Sequence, residues 1–184
     1  MKLWLIRHAA VALPDGLCYG ITDAPARAEA TVAAAQAAAA ALPRFVPLWV
    51  SGLTRAQQLA AVLQRERPDL GAARVDTRLN EMDFGRWEMQ PWAAVPRAAF
   101  DDWMADFALH RFGGEECTQQ VIDRVASLVL ELHGAGIREA AWVTHAGVIR
   151  AASYLKAHGP RRIGSASEWP REAPAQGELQ VIEF

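Results

Sequence analysis

Five short apolar runs recur along the chain, and each is continuous rather than alternating. They are Lys2–Ile6, Pro47–Val50, Arg74–Thr77, Ala140–Thr144 and Leu179–Glu183. A strand with one wet face alternates apolar and polar residues, whereas a continuous run means that both faces are covered. Helical stretches separate the runs. Ala26–Leu42 is alanine-rich and stops at Pro43, and Thr54–Arg67 ends before Pro68. Trp92–Phe107 follows, then Glu116–His133, in which Val121, Val125, Leu128, Val129 and Leu132 fall at helical spacing. Gly147–His158 closes at Gly159-Pro160. Strands alternating with helices predict an α/β domain, a three-layer α/β/α arrangement with a mainly parallel central sheet. A length of 184 residues suits one domain, 1–184, able to bury a core without staples. Gly159–Gly177, rich in Gly, Pro, Ser and Arg, reads as a long surface loop.

In open parallel sheets, ligands bind beyond the carboxyl ends of the strands. Strand one ends in Arg7-His8 and strand two in Ser51-Gly52-Leu53-Thr54-Arg55. The third runs into Arg78-Leu79-Asn80-Glu81, and the fourth ends in Thr144-His145-Ala146-Gly147. Any one of these is an ordinary strand end. Together they bring two histidines, several arginines and a glutamate to one edge.

The charge balance, 19 Lys+Arg against 21 Asp+Glu, gives no bulk attraction to nucleic acid or anionic lipid. Lysine occurs only at Lys2 and Lys156, so 19 less 2 leaves 17 arginines, the planar bidentate cation suited to phosphate. Codon bias suffices for most of them, and Arg7 and Arg55 matter for their position. Two cysteines, Cys18 and Cys117, are too few for a disulfide scaffold, which points to a reducing cytoplasm. The run Leu3–Ile6 is cut at Arg7, unlike a signal peptide. Ala30–Pro43 is shorter than the ~20 apolar residues a membrane span needs.

The familiar phosphate and nucleophile motifs are missing. There is no Gly-Lys pair for a Walker loop, no Gly-x-Ser-x-Gly elbow, and no Cys followed six positions later by Arg. A zinc or iron site on His8, His145 and a carboxylate is the competing reading. Against it, Arg7 directly precedes His8, and Arg55 and Arg150 gather at the same sheet edge, where cations repel a divalent metal. A phosphate site fits better. Arg7 and Arg55 can each grip phosphoryl oxygens, and the helix opening at Ala146-Gly147 adds backbone N–H groups. A histidine kept neutral by neighbouring cations is a competent nucleophile at phosphorus. The leaving oxygen then needs a proton, for which Glu81 is the first candidate and Glu88 the reserve. His110, His133 and His158 lie near helix ends and carry no catalytic expectation.

These residues resemble a known family. Leu5-Ile6-Arg7-His8 resembles the Arg-His-Gly motif of the histidine phosphatase superfamily, the phosphoglycerate mutase-like proteins. Gly20-Ile21-Thr22-Asp23-Ala24-Pro25 is similar to its Gly-x-x-Asp-x-Pro loop, and Ser51-Gly52-Leu53-Thr54-Arg55-Ala56-Gln57 to its Ser-x-Leu-x-Arg-Ala-x-Gln stretch. Leu79–Glu88 resembles its Leu-x-Glu-x-x-Phe-Gly-x-Trp-Glu segment, and Thr144–Arg150 its Thr-His-Gly-Gly-Val-Ile-Arg. The resemblance implies a phosphoglycerate mutase-like fold and a phosphomonoesterase working through phosphohistidine, without metal or cofactor. It implies His8 as nucleophile, Arg7, Arg55 and His145 holding the phosphoryl group, and Glu81 as general acid. Ala146, Tyr19 and Trp87 are the further expected substrate contacts.

Ala9 stands where the family has Gly, and the apolar Ala10–Pro14 replaces a polar loop. Small members carrying Cys-Tyr-Gly-x-x-Asp, as in Cys18–Asp23, look most like α-ribazole phosphatases. The expected partner is a small-molecule phosphate ester such as α-ribazole 5′-phosphate, with neither nucleic acid nor membrane, and a homodimer is an open option. A broad-specificity phosphatase or a mutase-like enzyme is the alternative. A non-catalytic phospho-ligand-binding module is the alternative from another class, and a pure binder would have no use for a proton donor at Glu81.

Overall fold

The computed structural model describes residues 1–184. Its centre is a five-stranded sheet of β1 (Lys2–Arg7), β2 (Leu48–Val50), β3 (Arg74–Val75), β4 (Glu139–Thr144) and β5 (Leu179–Glu183). The strand order is β3-β2-β4-β1-β5; β5 alone is antiparallel, running against β1. Around the sheet lie α1 (Ala28–Ala41), α2 (Thr54–Glu66), α3 (Arg97–Ala105), α4 (Thr118–Gly134) and α5 (Ala146–His158). This is the expected α/β fold with a mainly parallel sheet.

The continuous apolar runs have the expected cause. On β1, Leu3 and Leu5 enter a core with α4 and α5, while Ile6 enters a second core with α1 and α2. On β4, Ala140 and Trp142 face the first core, and Ala141 and Val143 the second. Successive side chains of a strand point to opposite faces, so a strand sandwiched between helix layers is apolar at every position. The many alanines of α1 serve close packing: its buried face is Thr31, Ala34, Ala35 and Ala38.

The edges of the sheet depart from expectation. The run Arg74–Thr77 forms only a two-residue strand with both residues exposed, because β3 is an edge and nothing covers it. Thr77–Leu79 turns instead into a 3-10 helix, opened by the Asp76 carboxylate accepting the Arg78 N–H. On β5 only Ile182 is buried. The expected helix Trp92–Phe107 is broken into a 3-10 turn, Trp92–Ala94, and α3. Pro96 disfavours helical backbone at Val95, and it precedes the first residue of α3. Gly159–Gly177 is anchored rather than loose: Ile163 is fully buried, Trp169 packs against the first core, and Ala166–Glu168 forms a 3-10 turn. No helix is long and apolar enough to cross a membrane.

Candidate active site

Strand register brings the two histidines together. β1 and β4 are parallel neighbours with Arg7 opposite Thr144, so the next residues, His8 and His145, leave the sheet side by side. Their ring centroids are 5.0 Å apart and both rings are buried. β2 is the neighbour of β4 on its other side, with Val50 opposite Val143. Ser51 therefore emerges next to His145 and hydrogen-bonds its Nε2 at 2.8 Å.

Hydrogen-bond partners settle both tautomers. His8 Nδ1 lies 2.8 Å from the Ala9 carbonyl, which can only accept, so the proton sits on Nδ1 and the lone pair on Nε2. The Asn80 Oδ1 accepts from the Gly52 N–H, so Ser51 Oγ also donates to it, at 2.8 Å. Ser51 must then accept from His145, which fixes the proton on Nε2 and leaves His145 Nδ1 buried without a partner. Ser51 and Asn80 lie within the strand-exit segments, yet nothing in their spacing singles them out as the group that orients His145.

Arg55 is fully buried on the first turn of α2. Its guanidinium donates to the carbonyls of Thr22 and Gly20, while its Nε has no partner. Those carbonyls are held in place by Glu88, whose carboxylate accepts from five donors: Gly20 N, Ile21 N, Thr22 N, Thr22 Oγ1 and Phe84 N. Gly20 approaches so closely that a Cβ there would lie 1.8 Å from the Met82 carbonyl. Asp23 accepts from the Thr54 N–H and hydroxyl, capping α2 from outside the helix. Glu88 is thus a latch and not a reserve acid, because its lone pairs are committed. Replacing it with Ala strands buried N–H groups. Glu88→Ala is expected to lower unfolding free energy by about 3 kcal/mol in denaturant titration; a change within about 0.5 kcal/mol, the size of a neutral surface substitution, would contradict the latch.

Glu81 lies at the N-terminus of α5. Its Oε2 accepts the Gly147 N–H at 3.1 Å and its Oε1 the Met82 N–H at 3.0 Å. Gly147 is required for this, since a Cβ would sit 2.2 Å from Glu81 Oε1. The first-turn donors expected for an anion are therefore shared: Gly147 serves Glu81, which leaves Ala146 as the helix-end donor beside His145. Arg7 is half-buried, gives one N–H to the Pro174 carbonyl at 3.0 Å, and keeps a buried, unpartnered Nε. The segment up to Gly177 closes over this side, with the Gly177 N–H shared between the carbonyls of Arg7 and His8. Nothing in its composition suggests that contact.

The profile of the histidine phosphatase superfamily (branch 1) matches residues 3–165. The chain belongs to the histidine phosphatase superfamily. Among solved structures it is similar to TTHB049 from Thermus thermophilus, with 27% identity, TM-score 0.73, and coverage of 100% of this chain and 94% of that one. A phosphoglycerate mutase from the same organism matches at 26% identity, TM-score 0.73 and the same coverages. A mycobacterial hydrolase, called hydrolase 1, matches at 27% identity and TM-score 0.71 over 90% of this chain and 86% of that one. No curated protein matches the chain. Members of the superfamily are phosphatases or mutases, and the fold supports one of these two activities.

Both histidines of the site, His8 and His145, have their affinity for a proton lowered. Burial, then the nearby Arg55, brings His8 down to about 3, with Arg7 adding to the shift and the Ala9 carbonyl opposing it. Burial and Arg55 likewise hold His145 well below the ordinary range. Arg7 and Arg55 have no carboxylate within salt-bridge distance, so their charge stays available to an anion. Cys18, pushed up to about 12 by burial and Glu88, stays a protonated thiol that packs as a small apolar group.

These depressed values also govern stability. The unfolded chain protonates its histidines near 6.5, while folded His8 waits until about 3, so between those values the unfolded state binds more protons. Stability is full above that window and falls as pH drops through it. His8→Gln is expected to remove about 1.4 kcal/mol per pH unit of that slope. Unfolding curves at about pH 4 to 6 test this; equal slopes in the two proteins would refute it.

Tyr19 packs beside Arg55, and Trp87 packs on Phe112. The Arg55 guanidinium lies 5.5 Å from the Tyr19 ring centre, and the Tyr19 hydroxyl accepts from Gln176 at 2.7 Å. Trp87 instead joins an aromatic cluster around the buried Phe112, with ring centroids 6.1 Å apart. It lines neither cavity that borders Glu81. At the turn Gly85–Trp87 the indole of this expected substrate contact packs on Phe112, in the aromatic cluster that Phe84 and Trp103 also join.

Proposed function

We propose that this histidine phosphatase hydrolyses small-molecule phosphate monoesters through a phosphohistidine at His8. The observation that carries the reading is the state of His8: a neutral imidazole, its Nε2 lone pair free, beside two arginines without carboxylate partners. A neutral imidazole attacks phosphorus, whereas a protonated one cannot. Arg7, Arg55 and the Ala146 N–H grip the phosphoryl oxygens as charge spreads over them. A bound phosphate dianion raises the affinity of His145 Nδ1 for a proton taken from solvent, and the Nδ1–H then joins that grip while Nε2–H stays on Ser51.

The step balances as a double displacement. His8 Nε2 forms the N–P bond as the ester P–O bond breaks, and Glu81 gives its proton to the leaving oxygen. Water then attacks the phosphohistidine, the Glu81 carboxylate takes a proton from it, and the N–P bond breaks to free phosphate and restore His8. The helix-end N–H of Gly147 and the Met82 N–H fix the carboxyl for both transfers.

Release of phosphate from an aryl phosphate in the presence of EDTA tests the reading. Turnover is expected with chelator present; none at all, or loss on chelation, would overturn it. The α-ribazole 5′-phosphate suggested by the Cys18–Asp23 loop is the first natural ester to try in a panel. The Thermus thermophilus structure named phosphoglycerate mutase is covered over 94% of its length, so chain length does not separate mutase from hydrolase. The panel therefore includes phosphoglycerates, scored for isomerisation as well as for phosphate release. Binding of one small ester, without nucleic acid or membrane, and a cytoplasmic setting suited to the free Cys18 and Cys117 complete the proposal.

A further inference from the structure

Two cavities border Glu81, and their chemistry is opposite. The larger, about 310 Å³, is open and lined by Asp83, Glu115 and Glu116, with a single cation, Arg124, that is paired to Glu116. The smaller, about 90 Å³, is walled by Phe84, Trp103 and Trp169, with Arg150 among its lining residues. Arg150 stands one helical turn beyond Gly147, the residue whose N–H holds Glu81. It is half-buried and has no carboxylate within salt-bridge distance. Its one hydrogen bond is a long one, 3.3 Å, to the Arg171 carbonyl.

A half-buried guanidinium without a counter-ion is costly unless an anion comes to it. Burial weakens its hold on the proton, Glu81 strengthens it and Arg7 opposes that, which places the charge electrically within the site. Resting on the phosphatase reading, we infer that Arg150 is a specificity residue that binds a second anionic group, carried by the leaving group of the substrate. About 90 Å³ is roughly the volume of three waters, enough for a carboxylate and its neighbouring carbon and too little for a ring. The aromatic walls suit the apolar atoms that carry such a group. The acidic cavity repels it, so an anionic leaving group is driven to the Arg150 side. The preferred class is therefore phosphate monoesters whose leaving group has an apolar body and its own negative charge.

Phenyl phosphate and meta-carboxyphenyl phosphate, assayed with wild type, Arg150→Met and Arg150→Lys, test the inference. Wild type is expected to favour the carboxylated ester in kcat/KM, chiefly through KM. Arg150→Met should cut that preference about tenfold or more, the worth of a charge-assisted hydrogen bond, and Arg150→Lys should restore part of it. Should Arg150→Met melt below the assay temperature, Arg150→Lys carries the comparison, with a smaller loss expected. Turnover of both esters by wild type without preference would overturn this inference alone. A loss in Arg150→Met that is equal for both esters would also overturn it, assigning Arg150 to the transferred phosphoryl group. Failure of wild type to hydrolyse either ester would instead bring down the phosphatase reading, and this one with it.

Discussion

His8→Ala is expected to lower turnover of every phosphate ester by roughly 10⁴-fold or more, because the substitution deletes the nucleophile and no neighbour can replace it. His145 is the nearest imidazole, with its centroid 5.0 Å away, but its Nε2–H is tied to Ser51 and its ring is wholly buried. The decisive readout is the intermediate. Wild type quenched in alkali after brief exposure to labelled substrate should retain label on His8, as a phosphoramidate that is stable to base and cleaved by acid. His8→Ala should retain none. Label surviving in the variant, or acid-stable label in wild type, would move the nucleophile elsewhere. The variant should also hold phosphate well, since Arg7, Arg55 and His145 remain.

Glu81→Gln is expected to separate substrates by their leaving groups. The amide matches the carboxylate in size and keeps one oxygen for the Met82 or Gly147 N–H, but it cannot give up a proton. A poor leaving group such as an alkoxide depends on that proton and should lose about 10² to 10⁴-fold in kcat, the usual range for general acid catalysis. An activated nitrophenolate leaves without help and should lose far less in the phosphorylation step. A uniform loss across leaving groups would mean that Glu81 positions the site and does not donate. Gly147 belongs to the same argument, since any side chain there meets the Glu81 carboxyl.

Much of this site is legible in the order of residues along the chain, and the reason is topological. In a parallel sheet every strand delivers its last residues to the same edge, so reading Arg7-His8, Ser51–Arg55, Glu81 and Thr144–His145 as strand exits amounts to reading them as neighbours. The edge strands are less legible. Arg74–Val75 has strand-forming character, but burial is a property of what lies on either side, and no helix covers β3. Trp87 shows the same limit on a smaller scale. It sits six positions from Glu81, yet the turn between them sends its indole to Phe112, and it lines neither cavity beside Glu81. By residue type Glu88 is a possible acid; its five hydrogen-bond donors come from residues 20 to 22 and 84, and most of them lie more than sixty positions away along the chain.

By itself, then, the sequence determined the α/β architecture, the family and which residues gather at one sheet edge, because strand periodicity and short motifs are local and survive translation into space. Only the tertiary structure decided the protonation and orientation of those residues. The Ala9 carbonyl selects Nε2 of His8, and the Asn80–Ser51 pair turns His145. Burial beside Arg55 keeps both rings neutral. Each of these is a through-space effect of desolvation or of a single hydrogen bond, with a reach of a few ångströms, and it exists only once distant segments have come into contact.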